Sequence, residues 1–415
     1  MRVTKFRRDL GAAGATLITL CLAWCCTSCS PSVASARPGE RLWASRLPGG
    51  AASAGVVSPD GMTVFVAGEV KTQWETVAYR AATGARLWAT KAYQPGRYSY
   101  PVAITVSPDG ARVYVTGRVI SAGAMATVAY DADTGRQLWA SRSNATAAAA
   151  SALAVSPDGA TVYVTGSGRV SGRQDQFAVT AYAAATGQQR WLHYYTKVKP
   201  GYARSVAISP DGKTVYATGS VGSYALTVGY HASGTVKWAT RYTNPYGGGA
   251  AGNQIVTGPG GSAVYVAGAA TNKSGHGDIA TFAYRAATGK RMWLDRYNAR
   301  IGGGVPGIAV TPDGRTVIVV GQRNGGHAGG YALASYNAST GGTRWMTIAV
   351  RSYGLVIDPH GNTLYVGGPP TAAYSVADGT LLWTATHGSG IIGLSRDGTR
   401  LFGWGSGGTI VAYQT

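Results

Sequence analysis

Gly275-His276-Gly277-Asp278 is the one short stretch where an imidazole and a carboxylate stand close enough to begin a metal site. It lies in a glycine-rich run, for which a solvated loop is the simpler expectation. The six histidines, His193, His231, His276, His327, His360 and His387, are scattered, and no two share a ligand-pair spacing. Of the 17 acids, Asp60, Asp109, Asp158, Asp211, Asp313 and Asp397 occupy one recurring turn, where Asp is a favoured former. Asp131 and Asp133 flank a second turn and carry the same expectation. Glu69, Glu75, Asp175, Asp278 and Asp295 are scattered over different units, with no spacing that suggests a glycosidase pair. No nucleophile elbow or phosphate-cradling loop is found. The residues speak for binding more than for catalysis, and no catalytic residue, metal or cofactor is assigned.

Charge offers a different chemistry. Lys and Arg number 37 against 17 acids, a formal net charge of +20. Arg46, Lys91, Arg142, Arg241 and Arg296 stand three residues after a Trp, and Arg41, Arg86, Arg190, Lys237, Arg291 and Arg344 one or two before one. Such residues protect exposed strand edges from pairing, or attract anionic envelope polymers and headgroups. Nucleic acid is not expected, because no recognition motif accompanies the charge.

The four cysteines, Cys21, Cys25, Cys26 and Cys29, fall within the first 29 residues, so the remaining chain has neither disulfide nor thiol ligand. Arg2, Lys5, Arg7 and Arg8 precede an apolar stretch from Leu10 to Leu22, the order of a secretory signal. Arg7-Arg8 leaves general and twin-arginine export both open. Thr27-Ser28-Cys29 resembles the small-residue box before a lipidated cysteine, although Cys26 stands where Leu is usual. Residues 1–29 are therefore expected to direct export and to lipidate Cys29, with simple cleavage as the alternative. Residues 30–39 are expected to form a flexible tether and 40–415 one folded domain.

What positions these residues is a repeat. Ser58-Pro59-Asp60-Gly61 returns at Ser107, Ser156 and Ser209, with weaker copies at Gly258, Thr311, Asp358 and Ser395. A strand ending in Tyr recurs at Tyr79, Tyr130, Tyr182, Tyr230, Tyr284, Tyr336, Tyr374 and Tyr413. Trp43, Trp88, Trp139, Trp191, Trp238, Trp293, Trp345 and Trp383 complete the unit, whose period is about 48 residues. Val113-Tyr114-Val115-Thr116-Gly117 reads as a strand bounded by turn residues. Each unit then holds four antiparallel strands joined by Ser-Pro-Asp-Gly and Thr-Gly turns, and its tryptophan reads as core rather than as a sugar platform. With 61 Gly, 25 Tyr and 11 Trp, a helical bundle is excluded. The expected fold is an all-β, eight-bladed β-propeller. Seven blades is the runner-up, because the last units are shorter. The chain opens on an orphan fourth strand at Arg41-Leu42-Trp43-Ala44 and ends on a third strand at Ile410 to Tyr413, so the N-terminal strand should close the last blade.

Ala129 to Trp139 (Ala-Tyr-Asp-Ala-Asp-Thr-Gly-Arg-Gln-Leu-Trp) resembles the PQQ-like repeat of bacterial quinoprotein propellers. The Ser-Pro-Asp-Gly and Val-Tyr-Val-Thr-Gly half is similar to the YVTN class of surface propellers. The resemblance spans residues 40–415 and implies an exported propeller in which Trp docks blade on blade. Quinone-dependent enzymes would add calcium-binding acids, a catalytic Asp and an adjacent disulfide. The only adjacent cysteines, Cys25 and Cys26, lie in the signal, so PQQ is not expected.

Both tight turns are short and uniform, and they share one face of a propeller. The opposite face carries loops of varied length, Ser167 to Gln176, Ala270 to Asp278 and Gln322 to Gly330 among them. Its blade connections hold Arg97, Tyr98, Tyr100, Tyr202, Arg204, Tyr246, Arg351 and Tyr353, residue types that serve as binding anchors. The expectation is an exported, lipid-anchored, monomeric scaffold at the cell surface or membrane, otherwise secreted, that binds a protein or an anionic envelope polymer. The alternative is a propeller enzyme, quinone-dependent or hydrolytic, with its site at the channel mouth.

Overall fold

Runs such as Val64-Phe65-Val66-Ala67 are buried on both faces of their strand, which requires a packed sheet on each side. Outermost strands instead alternate, as in Gln137–Arg142, where only Trp139 is buried. In the computed structural model these demands are met by stacking sheets in a ring. The structure describes residues 36–415 except 49, 72, 91–92, 94–97, 121–122, 144–145, 170–174, 196–198, 302–303, 324–329, 386–387 and 389. The signal, Cys29 and the tether up to residue 35 thus lie outside the described residues, as do Lys91, Arg97, His327 and His387.

Among the described residues, 32 strands form eight four-stranded antiparallel sheets. Blades 1 to 7 cover residues 51–89, 99–142, 146–195, 201–242, 250–301, 307–349 and 354–385. Blade 8 takes three strands from residues 390–414 and its fourth from Arg41–Arg46. Each innermost strand lies against those of both neighbouring blades, and the innermost strand of blade 8 meets that of blade 1. The ring is eight-bladed. The shorter late repeats are short blades, with strands of 5 residues such as Thr363–Gly367 and Thr371–Ser375.

One joint recurs around the ring. The indole N–H of Trp139 donates to the Ala184 carbonyl of the next blade at 2.9 Å, and Trp43, Trp88, Trp191, Trp238, Trp293 and Trp345 do the same. Opposite each indole lies the glycine of the neighbour's second tight turn. Gly135, at φ 71°, leaves no room for a side chain, since a Cβ there would sit 2.6 Å from the Trp88 ring. Tryptophan is thus structural here.

Closure follows the same design. Arg41–Arg46 pairs antiparallel with Thr409–Gln414, and Trp43 packs among Phe402, Ile410 and the blade 1 residues Val64 and Tyr79. The Tyr79 hydroxyl donates to the Arg46 carbonyl at 2.9 Å. Residues 36–39, expected within the tether, are built into the ring. Gly39 N–H donates to the Gln414 carbonyl at 2.8 Å, and Gly39 occupies the turn-glycine place against Trp383. The two chain ends thereby stand in for the missing tight turn of blade 8.

Deleting residues 40–46 should lower the denaturant midpoint of the whole ring. Trp43→Ala alone should cost about 2–3 kcal/mol, less than the usual loss for a fully buried large aromatic because Trp43 is half-buried. Equilibrium urea unfolding checks both, and an unchanged midpoint on deletion would contradict strand closure.

Candidate functional site

The two faces of the ring differ in how their side chains are used. On the turn face, Asp109 accepts from the Ser107 hydroxyl at 2.5 Å and from Ala111 N–H at 3.0 Å, while Ser107 Oγ accepts from Arg112 N–H at 2.9 Å. The same pattern binds Asp60, Asp158, Asp211, Asp313 and Asp397. The hydroxyl, then the backbone N–H, holds each of these carboxyls below the usual carboxylate range. These acids are structural. Among the described residues no group of three or more His, Cys, Asp or Glu is placed to hold a metal.

The glycine ending Val-Tyr-Val-Thr-Gly has a use that a turn assignment misses. The second strand of blade 2 continues to Val119, so Gly117 lies inside it. Opposite sits a bulge in the innermost strand, between Pro101 and Ala103. A Cβ on Gly117 would stand 2.7 Å from Pro101 Cα and run into the Tyr100 carbonyl. Bulges recur in the innermost strands of blades 1, 3, 4, 5 and 8, and the residue bulged in blade 4 is Arg204. Bulges re-aim side chains, and Arg204 is exposed.

The loop face gathers the anticipated residues only in part. Tyr202, 43% exposed, donates its hydroxyl to Asp175 Oδ2 of blade 3 at 3.1 Å. Asp175 also pairs with Arg169 Nε at 2.6 Å. Burial, then the bond to Asp175, raises the Tyr202 phenol, against which Arg169 and Arg118 of blade 2 both act. Tyr100 lies directly across the strand pair from Arg118. Tyr98 is 68% exposed and accepts Ile120 N–H at its carbonyl, 3.0 Å away. Blades 2, 3 and 4 thus present Tyr98, Tyr100, Arg118, Arg169, Tyr202 and Arg204 on one sector. Arg118 and Arg169 were missed by sequence reading. Their common signal is an arginine on the second strand just past its glycine, where that strand reaches the loop face.

The other anticipated residues stand apart. Arg351 and Tyr353 enter blade 7, with the guanidinium 5.4 Å from the ring centroid. Tyr246 enters blade 5 and belongs to a separate cluster. There Arg296, expected as an exposed edge cation, is instead mostly buried and pairs with Asp278 at 3.0 Å. Its guanidinium also donates to Tyr242 Oη at 3.2 Å, Asn244 Oδ1 at 3.0 Å and the Thr271 carbonyl at 2.8 Å. The brace leaves Asp278 committed, and His276 is exposed beside it. Arg46, Arg142 and Arg241 are exposed, as an edge role requires. His193 is half-buried against Tyr230, its ring edge-on at 5.1 Å, and burial lowers its pKa. Glu75 is raised by burial, and Asp295 faces Tyr336 across the next joint.

A family model described as outer membrane protein assembly factor BamB matches residues 32–257 and 276–415. No curated protein matches in sequence. Among solved structures, BamB from Moraxella catarrhalis superposes with a TM-score of 0.60 at 16% identity, covering 91% of this chain and 99% of that one. Sqt1 from Chaetomium thermophilum gives 0.67 at 14% identity, over 91% and 98%. Kuenenia stuttgartiensis hydrazine synthase gives 0.55 at 18%, over 89% and 97%. At these identities the likeness is one of fold.

The turn carboxyls carry a pH dependence whose sign is fixed. Because their folded pKa is depressed, the stability they add is whole above the unfolded value of about 4 and fades as pH falls below it. The double variant Asp109→Asn, Asp158→Asn should therefore unfold earlier than the parent in urea at neutral pH. That gap should narrow steadily below about pH 4. A gap that persists undiminished in acid would deny the turn carboxylates this role.

Proposed function

The chain belongs to the family described as outer membrane protein assembly factor BamB, and from that membership we propose that it is a non-catalytic scaffold of the bacterial envelope that captures a protein partner. The observation that supports this reading is that Tyr98, Tyr100, Tyr202, Arg118, Arg169 and Arg204 belong to three consecutive blades, 2 to 4, with Tyr202 and Arg169 sharing Asp175. Tyr buries a large ring at small cost in rotamer freedom, and Arg offers a planar fork to carboxylates. Asp175 pairs with Arg169 and sets one negative charge among the three arginines. The partner surface is accordingly acidic, with apolar groups to cover the tyrosines. An anionic envelope polymer is the second reading, favoured by the same arginines. No quinone is invoked, since the chemistry proposed is recognition.

Residues 1–29 would export the chain, and lipidation of Cys29 would hold it at a membrane surface. Mass spectrometry of the native N-terminus tests the anchor. A diacylglyceryl-modified Cys29 is expected, and an unmodified terminus beyond that residue would leave secretion alone.

Replacing Tyr98, Tyr100, Tyr202 and Arg204 together by Ala should weaken capture of an envelope partner by about tenfold, roughly 1.4 kcal/mol. The readout is pull-down and titration against envelope extract. If capture survives these changes but fails after charge reversal at Arg46, Lys91 and Arg142, the outer rim is the binding surface instead.

A further inference from the structure

The cluster around Tyr246 forms a pocket of about 270 Å³ on the loop end of blade 5, lined by Asn272, Lys273, Ser274, Arg296 and Asn298 with Asp278 at its base. We propose that this pocket binds a carboxylate group, either the C-terminus of a chain or an acidic side chain. The inference stands apart from the capture sector of blades 2 to 4, because no residue is shared.

The groups already committed define what the pocket can accept. Both oxygens of Asp278 are engaged, Oδ2 by Arg296 at 3.0 Å and Oδ1 by Asn272 Nδ2 at 2.9 Å. That carboxylate has its charge matched and leaves little attraction for an incoming cation. The Tyr246 ring is likewise occupied by cations, with Arg296 at 5.0 Å and Lys273 Nζ at 5.4 Å from its centroid. A cationic ligand would have to displace one of them. Lys273 is exposed and has no carboxylate within salt-bridge distance among the described residues. With Arg296 and Asp278 cancelling, Lys273 leaves the pocket one positive charge in excess.

The loop is built to hold that charge in place. Asn272 Oδ1 accepts the N–H groups of Ser274 and His276, each at 3.0 Å, and Asn272 N–H meets the His276 carbonyl at 2.6 Å. Lys273 and Ser274 therefore sit at the tip of a closed turn, with the Asn298 amide across the pocket, 3.5 Å from Asn272. An ammonium, a hydroxyl and an amide can together donate to the two oxygens of one carboxylate. Tyr246, 48% exposed, supplies an apolar wall for the carbon that bears it.

The test is a titration of the nitrogen-labelled full chain, followed by amide NMR, with three probes: N-acetylglycine, N-acetylglutamic acid α-amide and the neutral N-acetylglutamine α-amide. A saturable shift of the Lys273, Ser274, Gly275 and Asn298 amides is expected with an anionic probe and not with the neutral one. The stronger of the two anionic probes identifies a terminal or a side-chain carboxylate as the source. Lys273→Gln, a change at an exposed loop tip, should weaken that binding by about threefold to fivefold. Equal shifts with the neutral probe, shifts confined to the rim arginines, or undiminished binding to Lys273→Gln would each overturn the proposal. Loss of protein capture after changes in blades 2 to 4, with probe binding intact, would leave this pocket standing by itself.

Discussion

A sheet that is apolar on both faces must be covered twice, and a chain made of such sheets finds two covers for every one only by returning to its start. The joint that enforces this is the same at each step. An indole crosses from the outermost strand of one blade and lies against a glycine that could carry no side chain, and in seven of these joints it donates to a backbone carbonyl of the next blade. One indole position thus recurs in each pair, set among buried side chains that differ from joint to joint. Eight such steps close the circle. The eighth has no hairpin to offer the glycine, so residues 36–46 supply both strand and glycine from the other end of the chain.

The same economy decides where function can reside. On the turn face, each Ser-Pro-Asp-Gly loop turns its own hydroxyl and one carboxylate oxygen onto its own backbone. The loop face has no such rule, and its connections differ in length and in side chains. In six of the blades a bulge opposite the second-strand glycine re-aims side chains of the innermost strand. In blade 4 the residue carried there is Arg204, the one charged member of the bulged set. Position on the ring is thus inherited from the repeat, while chemistry is local to a blade.

That division also explains what could be read without coordinates. Eight turns, eight tyrosine strands and eight tryptophans are periodic, and periodicity is what a single sequence displays. The orphan strands at each end revealed closure because their phases add to one complete blade. Gly117 was misread because a glycine after a β-rich run looks like punctuation, whereas its reason is a carbonyl on the neighbouring strand. Arg296 was misread for a related cause. Its position after Trp293 matches Arg46, Arg142 and Arg241, yet it meets Tyr242 and Asn244 on one segment and Asp278 on another. Arg118 and Arg169 escaped notice because Tyr202, on whose phenol both act, lies in another blade. Contacts between non-repeating loops leave no spacing to detect.

The charge imbalance gains a structural meaning from these contacts. Lys and Arg exceed the acids by 20, but the acids are not evenly available. Six are folded into turns by their own serines or threonines, and Asp175 and Asp278 are each held by an arginine. Basic residues such as Arg46, Arg241, Arg204 and Lys273 stand exposed at outermost strands or on the loop face. Anything approaching this ring therefore meets positive charge that the protein has not neutralised internally. Long-range attraction brings an anionic surface near from any direction. Selection among such surfaces must then come from short-range groups, which the uniform turn face does not vary. Only where tyrosines flank the arginines, as in blades 2 to 4, or where a shaped turn fixes a lone ammonium, as in blade 5, does the ring offer more than charge.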